Sequence, residues 1–187
     1  HRSGVRLNGL SVECVARPKP LTEVARKTAA EAKAKNHQVI QLYRQGEIPE
    51  AIRLGKTVLD IRRELLGDKH PDYAISLNML ALLYKAQGKY TKAEPLHLKA
   101  HDILKRVLGE EHPDYATSLD YLGLLYKSQG AYPKAEPLFR EARNIRKRVL
   151  GEEHPNDAIS LNNLAWLYTN QGRYAQAEPL YLEARDI

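Results

Sequence analysis

The chain has 187 residues, 43% of them hydrophobic and 28% charged, with a formal net charge of +6, which is enough apolar content for a packed core. A single cysteine, Cys14, excludes an intramolecular disulfide and a cysteine-based zinc site. No apolar run approaches the ~18 residues that span a bilayer. The chain therefore reads as soluble and cytoplasmic, with no membrane partner. Residues 1–45 hold nine Lys or Arg against Glu13, Glu23 and Glu31, so the whole net charge lies there and the rest of the chain is neutral. A neutral body lacks the basic stripe that phosphate contacts require, which argues against nucleic acid as a partner.

Residues 1–20 contain Gly4, Gly9, Pro18 and Pro20, with a short alternation at Leu10, Val12 and Cys14. They read as a linker or as the remnant of an upstream domain. Residues 21–45 have no internal Gly or Pro and predict one long helix with Thr22 as its cap. Its end, VIQLYRQG, imitates LALLYKAQG at Leu80–Gly88, so it reads as a degenerate first helix that caps an array with a polar face.

From Gly46 onward the chain repeats itself with a period of 42 residues: 46–87, 88–129, 130–171, and a partial copy at 172–187. Such a period marks a solenoid, in which each unit buries its apolar face against the next. Within one copy, Leu77, Leu80, Ala81 and Tyr84 fall at i, i+3, i+4 and i+7, one stripe of a helix over Pro71–Gln87. Pro71 suits a first helical turn, and Asp72 faces the positive end of the helix dipole. Gly88 breaks that helix. A second stripe at Ala93, Leu96, His97, Ala100, Ile103, Leu104, Val107 and Leu108 predicts a longer helix ended by Gly109. Two such helices form an antiparallel hairpin, and Gly123, aligned with Ala81 and Ala165, supplies a small residue at their crossing. Pro95, Pro137 and Pro179 fall inside the second helices, where each predicts a bend or a late helix start.

His97 and His101 have the i, i+4 spacing of a two-histidine metal site. His97, however, takes the place of Phe139 and Tyr181 in the other copies, and His101 that of Arg143 and Arg185, so both read as packing residues. His70, His112 and His154 recur before proline and read as turn and cap residues. The pairs Glu110 with Glu111 and Glu152 with Glu153 sit in the same turns as solvated charges. Eight of eleven tyrosines fall at three recurring positions and read as structural. No phosphate-binding glycine loop, nucleophile elbow or HExxH is present, so the sequence gives no sign of an enzyme and calls for no cofactor or metal.

The pattern L-x-x-L-[AG]-x-x-Y-x-x-x-G-x-Y-x-x-A-x-x-x-[HFY]-x-x-A is met at Leu119, Leu122, Gly123, Tyr126, Gly130, Tyr132, Ala135, Phe139 and Ala142. It is met again at Leu161, Leu164, Ala165, Tyr168, Gly172, Tyr174, Ala177, Tyr181 and Ala184. This resembles the tetratricopeptide repeat, and the extra eight residues ending in LGEEHPD resemble the 42-residue variant of kinesin light chains. The resemblance implies an all-α fold, a right-handed α-solenoid of stacked helix hairpins, and a concave groove that binds a peptide or protein segment. Carried over by position, the groove residues are Asn78, Asp120 and Asn162, then Leu82, Leu124 and Trp166, then Lys85, Lys127 and Thr169. With cations at only two of these positions, the match to carboxylate-clamp repeats is incomplete, so no acidic C-terminal tail is implied. Two other readings stay open: the regulatory arm of a larger enzyme, motivated by the ends of the chain, and self-association through the end hairpins.

Overall fold

The computed structural model describes residues 22–187; the linker or remnant expected at 1–20 lies outside the described residues. Those residues form eight α-helices: α1 (Glu23–Arg44), α2 (Ile48–Leu66), α3 (Pro71–Ala86), α4 (Tyr90–Leu108), α5 (Pro113–Ser128), α6 (Tyr132–Leu150), α7 (Pro155–Asn170) and α8 (Tyr174–Asp186). Each odd-numbered helix packs on the even-numbered helix after it, and α2, α4 and α6 pack in turn on α3, α5 and α7. The result is an all-α repeat superhelix of stacked hairpins.

Local chemistry sets the boundaries. Thr22 Oγ1 accepts from the Ala25 N–H and caps α1. The shorter helices α3, α5 and α7 start with proline in their first turn, and the Nδ1 atoms of His70, His112 and His154 accept at 3.1 Å from the backbone N–H groups of Asp72, Asp114 and Asn156. Histidine thus takes the capping role that Ser, Asp or Asn more often fills. Gly109, with φ at +86°, lies in the left-handed region that ends α4 without a Cβ penalty.

The prolines cause less disturbance than expected. Helices α4, α6 and α8 begin at Tyr90, Tyr132 and Tyr174 and continue through Pro95, Pro137 and Pro179, so no late start occurs. All three prolines are exposed. The carbonyls that lose a partner belong to Thr91, Pro133 and Ala175, one turn earlier, and water can satisfy them on that open face.

Packing follows the repeated stripes. Leu77, Leu83, Leu119, Leu125, Leu161 and Leu167 are almost completely buried, each contributing about 1.5–3 kcal/mol of apolar burial. In one slot, Leu125 packs among Ala81, Ala93, Tyr84, Tyr90 and Leu96, which is how each hairpin seats on the one before. At the equivalent positions α1 departs from this pattern. Where α3 has Tyr73, Leu77, Leu80 and Leu83, α1 has Ala32, Asn36, Val39 and Leu42, the first three smaller or polar on the same stripe, with Ala32 and Val39 buried.

Candidate functional site

The first helices of successive hairpins line one face of the superhelix, where α3 touches α5 directly. The nine positions expected to form a groove all lie on α3, α5 and α7, but the structure divides them by burial.

The first row is mostly internal. Asn78 is buried, and its Oδ1 accepts from His97 Nδ1 at 2.8 Å across the α3–α4 hairpin. Asp120 is buried against Arg146 of α6, Oδ2 to Nη1 at 2.5 Å. Arg146 also donates to Ser160 Oγ at 2.6 Å and to Thr117 Oγ1 at 3.3 Å, tying α6 to both α5 and α7. Burial raises the Asp120 carboxyl pKa, and the guanidinium of Arg146 and the amide of Asn163 pull it back down. Only Asn162 remains exposed. The expectation that all three lie off the packing stripe is therefore corrected for Asn78 and Asp120. Their partners come from a second helix, His97 and Arg146 standing where other copies carry Phe139 and Leu104.

His97 itself is fully buried, stacked on Tyr121 with ring centroids 5.6 Å apart and planes 13° off parallel. Its Nε2 has no hydrogen-bond partner. Burial, and secondarily the charge of Lys85, push its pKa down to about 4. The ring is a packed, neutral core histidine. His101 turns instead to Ser118 Oγ at 3.2 Å and the Tyr115 ring, so the two histidines do not converge on one point. Among the described residues no group of three or more His, Cys, Asp or Glu is placed to hold a metal ion.

The second and third rows are accessible. Leu82 and Leu124 are half-buried and Trp166 is 39% exposed. Lys127 Nζ stands 3.6 Å from the centroid of the Trp166 ring, a cation–π contact between successive hairpins. Burial lowers the pKa of Lys85 and of Lys127, and for Lys127 the neighbouring charge of Lys85 acts in the same direction. Neither lysine forms an ion pair among the described residues. Thr169, the last of the row, turns its hydroxyl to the Ala165 carbonyl at 2.9 Å. The structure thus sets Lys127 against the Trp166 ring, with Lys85 near enough for its charge to act on Lys127, and leaves Asn162 as the one open amide of the first row.

Tyr121 and Arg146 were not anticipated from sequence. The register of Arg146 reads Arg62, Leu104, Arg146, so an arginine there does not by itself mark an aspartate partner on the preceding helix.

The sequence model of the tetratricopeptide repeat matches residues 31–105, 78–148 and 122–187. The chain belongs to the tetratricopeptide repeat (TPR) family. The TPR array is similar in structure to kinesin-light-chain-like proteins. Crystal structures of the nearly identical TPR-like repeats of a Podosopora anserina kinesin-light-chain-like protein superpose with TM-scores of 0.73 and 0.72 at 25% identity, covering 88% of this chain and 75% and 76% of theirs. BtubC of P. vanneervenii superposes with a TM-score of 0.73 at 23% identity over 85% of this chain, a likeness of fold. This chain spans 63% of the length of BtubC. No curated protein matches in sequence. TPR arrays are protein-interaction scaffolds, and among the described residues no helix is long and apolar enough to cross a membrane.

Proposed function

We propose that this TPR array is a non-catalytic scaffold that holds an extended protein segment against the face formed by α3, α5 and α7. The observation that carries the reading is the cluster of Lys85, Lys127 and Trp166. Lys127 lies over the ring of the chain's only tryptophan, which is exposed, and Lys85 stands close enough for its charge to act on Lys127. Both lysines are half-buried and have no carboxylate partner among the described residues, and Leu82 and Leu124 are half-buried on the same helices. A cation stripped of water and left unpaired is poised to accept an anionic group, and an exposed tryptophan next to aliphatic side chains is the composition of a binding hot spot. The segment we envisage therefore carries an acidic side chain for the lysines and an apolar one for Leu124 and Trp166, with Asn162 bonding its main chain.

The test uses peptides selected from a displayed library for binding to the chain, with Trp166 emission as the direct readout in the parent and the fluorescence polarisation of labelled peptide as the readout common to parent and variant. Selected peptides should be enriched in acidic residues and should perturb that emission. Trp166→Ala combined with Asn162→Ala should abolish their binding while the circular dichroism stays that of the parent. Binding that persists in the folded double variant would overturn the assignment.

A further inference from the structure

Away from the groove, the first hairpin leaves open a cavity that the second one fills. It measures about 410 Å³ and lies between α1, the end of α2 and the start of α3, with Ala29, Ala32, Leu65 and Leu66 as its apolar lining. That volume is in the range of small-molecule sites. Its origin lies in the helix stripe. Ala32 and Asn36 take the registers in which α3 has Tyr73 and Leu77, and in the second hairpin those two are buried against Ala100, Ile103 and Leu104. The space that an aromatic ring and a leucine occupy there is open between α1 and α2. One wall carries Arg62, whose Nη1 donates to the Asp72 carbonyl at 2.9 Å and to Ser76 Oγ at 2.8 Å, as Arg146 does to Ser160 Oγ in the third hairpin. Arg146 also has the Asp120 carboxylate of the preceding helix. The same register of α1 holds His37, which is exposed, and Arg62 forms no ion pair among the described residues. Lys33, also on the cavity wall, forms none either. Against these two cations the wall has one carboxylic residue, Asp72, so one positive charge is left uncompensated. A partly buried guanidinium held only by neutral acceptors favours an anion.

We propose that this cavity binds a small aromatic carboxylate, a free monoanion with one flat apolar body. Its ring takes the place that Tyr73 fills in the next hairpin, against Ala29, Ala32, Leu65 and Leu66. Its carboxylate accepts from the Nε and Nη2 edge of Arg62, as Asp120 accepts from Arg146, with Lys33 supplying a second charge and the Asn36 amide a further donor. Arg62, Leu65 and Leu66 stand at i, i+3 and i+4 on α2, so the cation and the apolar wall share one helix face about one turn apart. That is the span of a ring and a carboxylate joined by a short linker. A monoanion also cancels the one charge left over, which a neutral ring does not.

The probe is 3-phenylpropionate, titrated into the isotopically labelled full chain and followed by the shifts of its backbone amide signals. Saturable shifts are expected in α1, the end of α2 and the start of α3, with a Kd of about 1 mM, which a ligand of this size ordinarily reaches. The uncharged 3-phenylpropionamide and the ringless propionate should each bind at least roughly ten-fold more weakly. Arg62→Leu imports the residue found at Leu104 in the same register, so it should fold as the parent does and weaken binding about ten-fold. Ala32→Tyr, which imports Tyr73, should fill the cavity and abolish binding while the circular dichroism stays that of the parent. Absence of saturable shifts, shifts centred on other helices, equal affinity for the amide, or undiminished binding by the folded Ala32→Tyr variant overturns the proposal. Equal or tighter binding of acetyl-Gly-Gly-Phe overturns it as well, because the ring and carboxylate would then belong to the end of a peptide.

Discussion

Replacing Gly123 by alanine should weaken the protein, although the substitution is one that ordinarily strengthens a helix. Gly123 lies inside α5, where alanine is favoured over glycine by about 1 kcal/mol. A Cβ at this position, however, would stand 2.6 Å from Cε1 of Phe139 and 2.9 Å from its Cδ1 and Cζ. The ring would have to withdraw to at least 3.4 Å to restore ordinary contact. Phe139 is fully buried, seated among Ala135, Leu164, Ala165 and Leu167, so it has no open side toward which to move. Overpacking of this kind costs about 1–3 kcal/mol, and three close carbons place Gly123→Ala toward the upper end. After the helix-propensity gain is subtracted, the net loss should be about 1–2 kcal/mol. Urea unfolding followed by circular dichroism measures it, with the slope expected to stay constant. In the double variant Gly123→Ala/Phe139→Leu, part of the loss should be recovered relative to the sum of the single changes, with a coupling of about 1 kcal/mol. The reasoning fails if Gly123→Ala raises the unfolding midpoint, or if the two changes are strictly additive. Other copies hold alanine in this register, Ala81 opposite the smaller ring of His97 and Ala165 opposite Tyr181, which is partly outside the core.

Two further predictions concern the buried polar groups. His97 has its pKa pushed down from 6.5 to about 4 in the fold. The unfolded chain therefore takes up a proton first as pH falls, so the stability associated with this ring is complete above about pH 6.5 and is lost as pH drops toward 4. The loss should reach about 2–3 kcal/mol, and His97→Gln, compared with the parent across that window, should show a correspondingly flatter decline. For the Asp120–Arg146 pair, Asp120→Asn alone leaves a buried guanidinium without its counter-charge and should cost about 3–5 kcal/mol. Adding Arg146→Leu, which imports the residue found at Leu104 in the same register, should restore most of that loss in denaturant titrations. Equal stability of the single and double variants would show that the pair's burial does not govern the site.

Much of the fold was legible because the features that produce it are local and repeated. The apolar spacing of Leu77, Leu80, Ala81 and Tyr84 needs only the helical period, and Thr22, His70, His112 and His154 lie within three residues of the backbone groups they cap. The candidate groove was legible only in outline. Position in the repeat places Lys85, Lys127 and Trp166 on one face, but it cannot show that Lys127 reaches the Trp166 ring in the next hairpin. Nor could it show that Asn78 and Asp120, at the same level as exposed Asn162, turn inward.

Sequence by itself determined the 42-residue period, the alternation of shorter and longer helices, their caps and the leucine stripes, since each depends on residues within about one turn or on comparison of the copies. Tertiary structure alone decided which polar side chains belong to the interior. Asn78 is buried because His97, on the neighbouring helix, offers it a hydrogen bond, and Asp120 because Arg146 brings it a charge. A polar group enters a core only where a partner meets it there, and that partner is supplied by a different helix through packing.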